Sequence, residues 1–216
     1  MKHSLTLRLA AIASCSAAAH SPTAEAAIVF SGLVNITVPR NIDGLYMNVV
    51  TGQTSSSSFS GYDFNIYFNP NAGASNGLNF FTSAAAGSPD SRGYVALSPT
   101  GSARSLPVGY IIGPGDTYNT GNSPSASQFP SPGFHGFGFR FFNELTQAVH
   151  YGYGTINPYP SGAGDAVLVL FAYESTPGVG IQYLFPAPGP VTAFALAGIA
   201  LSRRRRPACT QRSAVR

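Results

Sequence analysis

Alternation of apolar and polar residues with a period of two dominates the middle of the chain. The stretch "GYDFNIYFN" sets Tyr62, Phe64, Ile66 and Phe68 on one face and Asp63, Asn65, Tyr67 and Asn69 on the other, the pattern of a half-buried strand. "LVNITV" alternates Val34, Ile36 and Val38 against Leu33, Asn35 and Thr37, and "GFGFRFF" gathers Phe137, Phe139 and Phe141 opposite Gly138 and Arg140. "AVLVLFAY", residues 166–173, is apolar throughout and predicts a strand buried on both faces. Between these runs lie "TGQTSSSSFSG", "PNAGASNG", "GPGDTYNTGNSPSASQFPSPG" and "NPYPSGAG", which read as loops because Gly and Asn supply turn conformations and Pro and Ser interrupt ladders. Gly138, Gly152 and Gly154 fall inside strands, which predicts bulges or close backbone approach under aromatic cover from a neighbouring strand. No helical period extends over eleven residues in this region, so the fold class expected is all-β, an antiparallel β-sandwich or jelly roll.

The two ends break the pattern. Lys2, His3 and Arg8 precede an apolar and small-residue stretch, and Ala24-Glu25-Ala26 forms an A-x-A site with cleavage before Ala27, the layout of a secretion signal peptide over residues 1–26. At the other end "FPAPGPVTAFALAGIALSRRRR" runs from a Pro-rich opening through an apolar run to four arginines. That apolar run, 191–201, has eleven residues, whereas a stable span needs about 20. It predicts a short hydrophobic helix within a segment 185–206, followed by a tail 207–216.

Charge and cysteine change the picture once the ends are set aside. Residues 27–184 hold four arginines against seven acids, a net charge of −3, so the formal +4 of the whole chain belongs to its ends. No basic patch interleaved with aromatics remains, and nucleic-acid binding has no electrostatic basis. Cys15 and Cys209 both lie outside 27–184, so the middle has neither a disulfide nor a thiolate metal site, and its stability must come from packing.

The blocks "AIVFSGLVNITVP", "IDGLYMNVVTG", "GYDFNIYF" and "LNFF", then "GFGFRFFNELTQAVHYGYGTI" and "VLFAYESTPGVGI", occur in this order along nearly the whole chain. Together with the final segment they resemble secreted bacterial β-proteins that carry a PEP-CTERM sorting signal. Pro186, Ala187, Pro188 and Gly189 are similar to a Pro-Ala-Pro-Gly variant of the sorting motif. Here the sequence departs from Pro-Glu-Pro, it extends past the arginines to Arg216, and Tyr62 and Tyr153 stand where tryptophans are usual. The resemblance implies export through the Sec translocon, transient retention in the inner membrane, and cleavage near the Pro motif by the membrane protease exosortase. Arg203, Arg204, Arg205 and Arg206 would stay on the cytoplasmic side and orient the segment.

Candidate chemistry in the middle is sparse. Gly73-Ala74-Ser75-Asn76-Gly77 spells G-x-S-x-G, but a nucleophile elbow needs a strand-to-helix turn and the next residues, "LNFFTS", read as a strand. His135 and His150 are the histidines of the middle; a hairpin around "NELTQ" would let the two imidazoles face each other or a metal, with no local ligand spacing to support it. Asp63, Asn65 and Asn69 offer oxygens for calcium without the density of a calcium loop, and no carboxylate pair stands out as acid and base. No metal and no cofactor is expected. Asn35-Ile36-Thr37 matches a glycosylation sequon on a strand. Of the eleven tyrosines, Tyr67, Tyr151 and Tyr153 are candidates for stacking against sugar rings if exposed, with cross-strand packing as their other use.

The expectation is an exported, exosortase-sorted protein of the cell surface or extracellular matrix with a structural or adhesive and non-catalytic role. A polysaccharide-binding module, with exopolysaccharide as partner, is the alternative, and a secreted hydrolase the third. The ends carry a direct test: mass spectrometry of the native protein should find a C-terminus near Pro186–Gly189 when the sorting protease is present, whereas a wild-type chain still ending at Arg216 refutes the processing.

Overall fold

The computed structural model describes residues 26–69, 77–82, 91–130, 132–158 and 164–185. The leader up to residue 25, its expected helix, the sorting motif at Pro186 to Gly189, the helix expected at 191–201 and the arginine cluster lie outside the described residues. By its contacts the chain divides into Met1–Tyr183 and Leu184–Arg216, and only Leu184 and Phe185 of the second unit are described.

Fourteen strands lie among the described residues of the first unit. In its first half they are β1 (Ile28–Phe30), β2 (Ile36–Val38), β3 (Leu45–Met47), β4 (Thr54–Ser55), β5 (Phe64–Phe68), β6 (Leu78–Phe81) and β7 (Gly93–Val95). The second half holds β8 (Ile111–Ile112), β9 (Tyr118–Asn119), β10 (Asn122–Pro124), β11 (His135–Asn143), β12 (Ala148–Asn157), β13 (Ala166–Glu174) and β14 (Ile181–Gln182). The one helical element among the described residues is a 3-10 turn at Ala126–Gln128. Every pairing among the described residues is antiparallel, and these residues are all-β. Strands of sheet A follow the order β1-β13-β12-β11-β7-β9, with β2 joining β1 on the same side of β13. Sheet B has the order β10-β6-β5-β3-β4, and β14 pairs with β8 in a separate ribbon.

The alternation expected along β11 is realised. Phe137, Phe139 and Phe141 face the core, where they meet Phe64, Phe80 and Met47 of sheet B. Phe80 and Phe137 lie 5.1 Å apart between ring centroids, and Phe64 and Phe139 lie 5.2 Å apart. Each buried Phe contributes roughly 1.5–3 kcal/mol through removal from water, and tilted or edge-on ring pairs add about 0.5–1.5 kcal/mol. The apolar run at 166–173 becomes β13, which lies between β12 on one side and β1 and β2 on the other and is buried along nearly its whole length.

Three expectations are corrected. Tyr62 does not join the Phe64 face: it stops short of β5, and its ring meets Tyr46 edge-on at 4.9 Å. The opposite face of β5 is only partly solvated, since Asp63 and Asn65 are buried and Tyr67 is half-buried. The segment expected to be one loop from residue 113 to 133 contains β9 and β10, and Pro124 is accommodated because β10 is the edge of sheet B, where a missing N–H leaves no ladder bond unmade.

Glycines in the β11–β12 hairpin make close approach possible without bulging at those sites; the register shift lies at Thr155/Ile156. Gly152 pairs with Phe139 and Gly154 with Phe137, and the ring of each Phe lies over its partner glycine. A Cβ on Gly152 would stand 2.6 Å from Phe139 Cε2 and 2.7 Å from the Ala172 carbonyl oxygen. On the opposite face Gly136 lies under the Tyr183 ring, and a Cβ on Gly138 would meet Val95 Cγ2 at 2.7 Å and Ile112 Cγ1 at 2.8 Å. Gly152→Ala is therefore expected to destabilise by about 1–3 kcal/mol through overpacking, while Gly115→Ala, with nothing within 4 Å of its Cβ, should be close to neutral. Thermal unfolding of the two variants checks this, and an unchanged midpoint for Gly152→Ala would show that the rings do not fix the spacing.

Candidate functional site

Sheet B presents its second face away from the core. Register places Ser55, Tyr46, Asn65, Phe81 and Asn122 in one row across five strands, because Tyr46 pairs with both Ser55 and Asn65, and Phe81 with both Asn65 and Asn122. Tyr67 and Asn79 pair in the next row on the same face. Tyr46, Tyr67 and Phe81 are half-buried, so each ring keeps part of its surface open. Tyr62 leans on Tyr46, and Phe59 on Tyr62 with centroids 6.2 Å apart, extending the aromatic strip.

Amides lie among these rings. The Tyr67 hydroxyl donates to Asn122 Oδ1 at 2.9 Å. Burial, with Tyr46 beside it, raises the pKa of that hydroxyl, so it remains protonated and a donor. Asn65 donates through Nδ2 to the Asp43 carbonyl at 3.0 Å, while its Oδ1 is buried without a hydrogen-bond partner among the described residues. Flat aromatic surface beside amide donors and acceptors suits a ligand with an apolar face and a hydroxylated rim.

The tyrosines singled out by sequence are not brought together. Tyr67 lies on this open face of sheet B, half-buried. Tyr151 and Tyr153 lie on sheet A and are only 6% and 3% exposed, so neither is available for stacking. Tyr151 sits 6.1 Å from the Tyr118 ring, and Arg140 lies over Tyr118 at 4.5 Å. Tyr153 meets Tyr183 at 5.2 Å, and Tyr183 bonds Thr155. The residues that cover them come from the β8–β14 ribbon and its neighbours, a pairing that strand periodicity does not reveal. Tyr46, Phe81 and Asn122 were missed for a related reason: only cross-strand register places them beside Tyr67.

His135 and His150 form the hairpin that sequence suggested, yet they stand at opposite ends of it, His135 opposite Ile156 and His150 opposite Phe141. Each ring is held by its own neighbours. His150 is fully buried and stacked on Phe141 at 5.7 Å; its Nδ1 lies 2.8 Å from the Glu174 carbonyl oxygen and its Nε2 2.7 Å from Thr146 Oγ1. A carbonyl only accepts, so Nδ1 carries a proton there, and Nε2 is held by the threonine hydroxyl. His135 places Nε2 2.7 Å from the Pro130 carbonyl and Nδ1 3.3 Å from Ser105 Oγ. Among the described residues no three His, Cys, Asp or Glu side chains group closely enough to hold a metal ion. Of the G-x-S-x-G stretch only Gly77 is described, and its left-handed φ of 67° leads directly into β6. Asn35 of the sequon also takes a left-handed φ, 48°, between β1 and β2. Ala26 and Ala27 are exposed at the head of β1, and Ala24 lies outside the described residues.

One charged cluster escaped sequence reading. Asp63 Oδ2 accepts from the Val49 N–H at 2.7 Å, its Oδ1 lies 3.6 Å from Arg92 Nε, and Arg92 Nη2 donates to Glu144 Oε1 at 3.0 Å. The three residues precede β5, precede β7 and turn the β11–β12 hairpin, so the cluster ties both sheets at one end. Burial dominates at Asp63 and pushes its pKa up to about 7, against the opposing pull of the Val49 N–H and Arg92.

Among the described residues no helix is long and apolar enough to cross a membrane. No protein-family model, curated protein or solved structure matches this chain.

The Asp63 carboxyl binds its proton more tightly folded than unfolded, so its contribution favours folding below pH 4 and is lost as pH rises from about 4 through about 7. Denaturant unfolding should therefore show stability falling over this window, and Asp63→Asn should flatten that part of the slope. An identical slope in the variant would rule Asp63 out as its source.

Proposed function

We propose that this chain is an exported, exosortase-sorted protein of the cell surface or extracellular matrix, non-catalytic, whose delivered part is a two-sheet β-sandwich. The observation that carries the reading is the division of the sequence. Both cysteines and eight of the twelve basic residues lie outside 27–184, in the segments that resemble a secretion leader and a sorting signal. What those segments flank is a β-domain free of cysteine, suited to an environment where thiols oxidise. A structural role is supported by the occupied nitrogens of His135 and His150, which are held by backbone carbonyls and hydroxyls. In this role the Sec translocon and exosortase are partners during export, with transient association at the inner membrane.

The adhesive part of the reading is favoured by the open face of sheet B. Tyr46, Tyr67 and Phe81 supply aromatic surface, and the exposed Asn122 supplies an amide, which fits exopolysaccharide as the ligand class. This replaces Tyr151 and Tyr153 as the stacking residues.

Two measurements test the proposal. Protease treatment of intact producing cells should remove the chain from the surface, and recovery of a protected cytosolic chain with its leader attached would overturn export. Affinity electrophoresis of the exported protein in gels containing neutral polysaccharide should show retardation, weakened about tenfold or more by the Tyr46→Ala/Tyr67→Ala pair, since each lost ring–sugar contact is worth on the order of 1 kcal/mol. Retardation that is absent, or unaffected by the pair, would remove the polysaccharide reading and leave the structural one.

A further inference from the structure

The first residue of the expected mature chain already touches a buried carboxylate. Ala27 donates its backbone N–H to Glu174 Oε1 at 3.1 Å, and its carbonyl accepts from the Ser175 N–H at 2.9 Å. The same Glu174 oxygen accepts from the Thr176 N–H at 2.8 Å. Glu174 ends β13, is 4% exposed, and has no cation within ion-pair distance among the described residues. The titratable neighbour His150 directs Nδ1 to the backbone carbonyl of Glu174 and leaves the carboxylate to the two amides. A carboxylate withdrawn from water and met only by neutral donors lacks the opposite charge that ordinarily accompanies such burial.

We infer that Glu174 is the built-in counter-ion for the α-ammonium group created when the leader is removed before Ala27. The inference rests on the export reading and names what that cleavage does to the fold. Hydrolysis adds one water across the Ala26–Ala27 peptide bond. Hydroxide adds to the Ala26 carbonyl carbon, the C–N bond breaks with its electron pair going to nitrogen, and Ala26 leaves with the leader as a carboxylic acid that releases its proton to solvent and becomes a carboxylate. The Ala27 nitrogen keeps its electron pair, takes the proton released from water and a second from solvent, and becomes an ammonium. It already stands at hydrogen-bond distance from Glu174, so a neutral amide donor becomes a charged one without displacement of β1. Charge-assisted hydrogen bonds are about twice as strong as neutral ones. The strand at the edge of sheet A is thus fastened by processing: the leader-bearing precursor holds β1 more loosely, and the delivered protein holds it firmly.

The chemistry of the chain makes the test clean, because its only lysine, Lys2, departs with the leader and leaves the α-amino group as the one primary amine. The exported protein is purified from its producing cells, its N-terminus is read by mass, and the α-amino group is titrated by NMR after reductive ¹³C-methylation. A chain beginning at Ala27 should show an α-amino pKa about one pH unit or more above the ordinary range of about 7.7–8.0. Acetylating that amine should lower the thermal midpoint of the wild type and leave Glu174→Gln unchanged. Should the variant fail to fold, the wild-type titration and acetylation decide alone. A chain beginning at Ala27 with an ordinary α-amino pKa and a midpoint indifferent to acetylation overturns the inference and leaves export standing. A chain that still begins at Met1, or at another residue, overturns the cleavage reading and the inference with it.

Discussion

The β11–β12 hairpin depends on an exchange of rings and glycines between its strands. Phe137 and Phe139 of β11 cover Gly154 and Gly152 of β12 on the face toward the core. On the other face Gly138 of β11 pairs with Tyr153 of β12, Gly136 lies under Tyr183, and Tyr151 pairs with Arg140. Where a glycine of one strand faces a ring of the other, as at Gly152, Gly154 and Gly138, sheet A can be packed on both sides while its backbones stay at normal ladder spacing. Sheet B takes up the first face through Phe64 and Phe80, and Ile112, Ile181 and Tyr183 take up the second. With no disulfide possible between residues 27 and 184, this packing is the main source of cohesion.

Charge is used sparingly and at the margins of that packing. Arg92 bridges Asp63 and Glu144 at one end, joining the approach to β5, the approach to β7 and the hairpin turn. Asp63 is held where desolvation outweighs its partners, so its ionisation opposes folding near neutrality. Such a cluster adds little net stability, because the cost of desolvation offsets the Coulombic gain. Arg140, over the Tyr118 ring beside Tyr151, lets a cation lie against aromatic surface on the outer side of sheet A.

How much of this was legible depended on the range over which each feature is written. The parity of Phe137, Phe139 and Phe141, Gly152 and Gly154 beneath rings and the burial of β13 could be read because each is a local alternation or run. β9 and β10 could not, since their residues are Asn, Ser, Pro and Tyr and their order comes from backbone pairing, helped by Asn119 bonding the Gly101 carbonyl and the Gly121 N–H. Tyr153 is covered by Tyr183, beside a ribbon made by residues 111–112 and 181–182, and Tyr151 lies against Tyr118, all partners far off in the chain. For the same reason the Asp63–Arg92–Glu144 cluster left no spacing signature: Arg92 and Glu144 are 52 positions apart. The row on sheet B is legible only once register is known, because Tyr46, Asn65, Phe81 and Asn122 sit on four different strands.

The edge of sheet A has a consequence of its own. One side of β13 is covered by two three-residue strands, β1 and β2, between which Gly32 and Asn35 take left-handed conformations. Ile28, Val29 and Phe30 are exposed there, and an uninterrupted ribbon of that composition would invite a neighbouring molecule to extend the ladder. Splitting the border into two short pieces offers any would-be template only a brief run of free amides and carbonyls before the backbone veers away. The margin of the sheet can thereby stay apolar while presenting little ladder for another strand to extend.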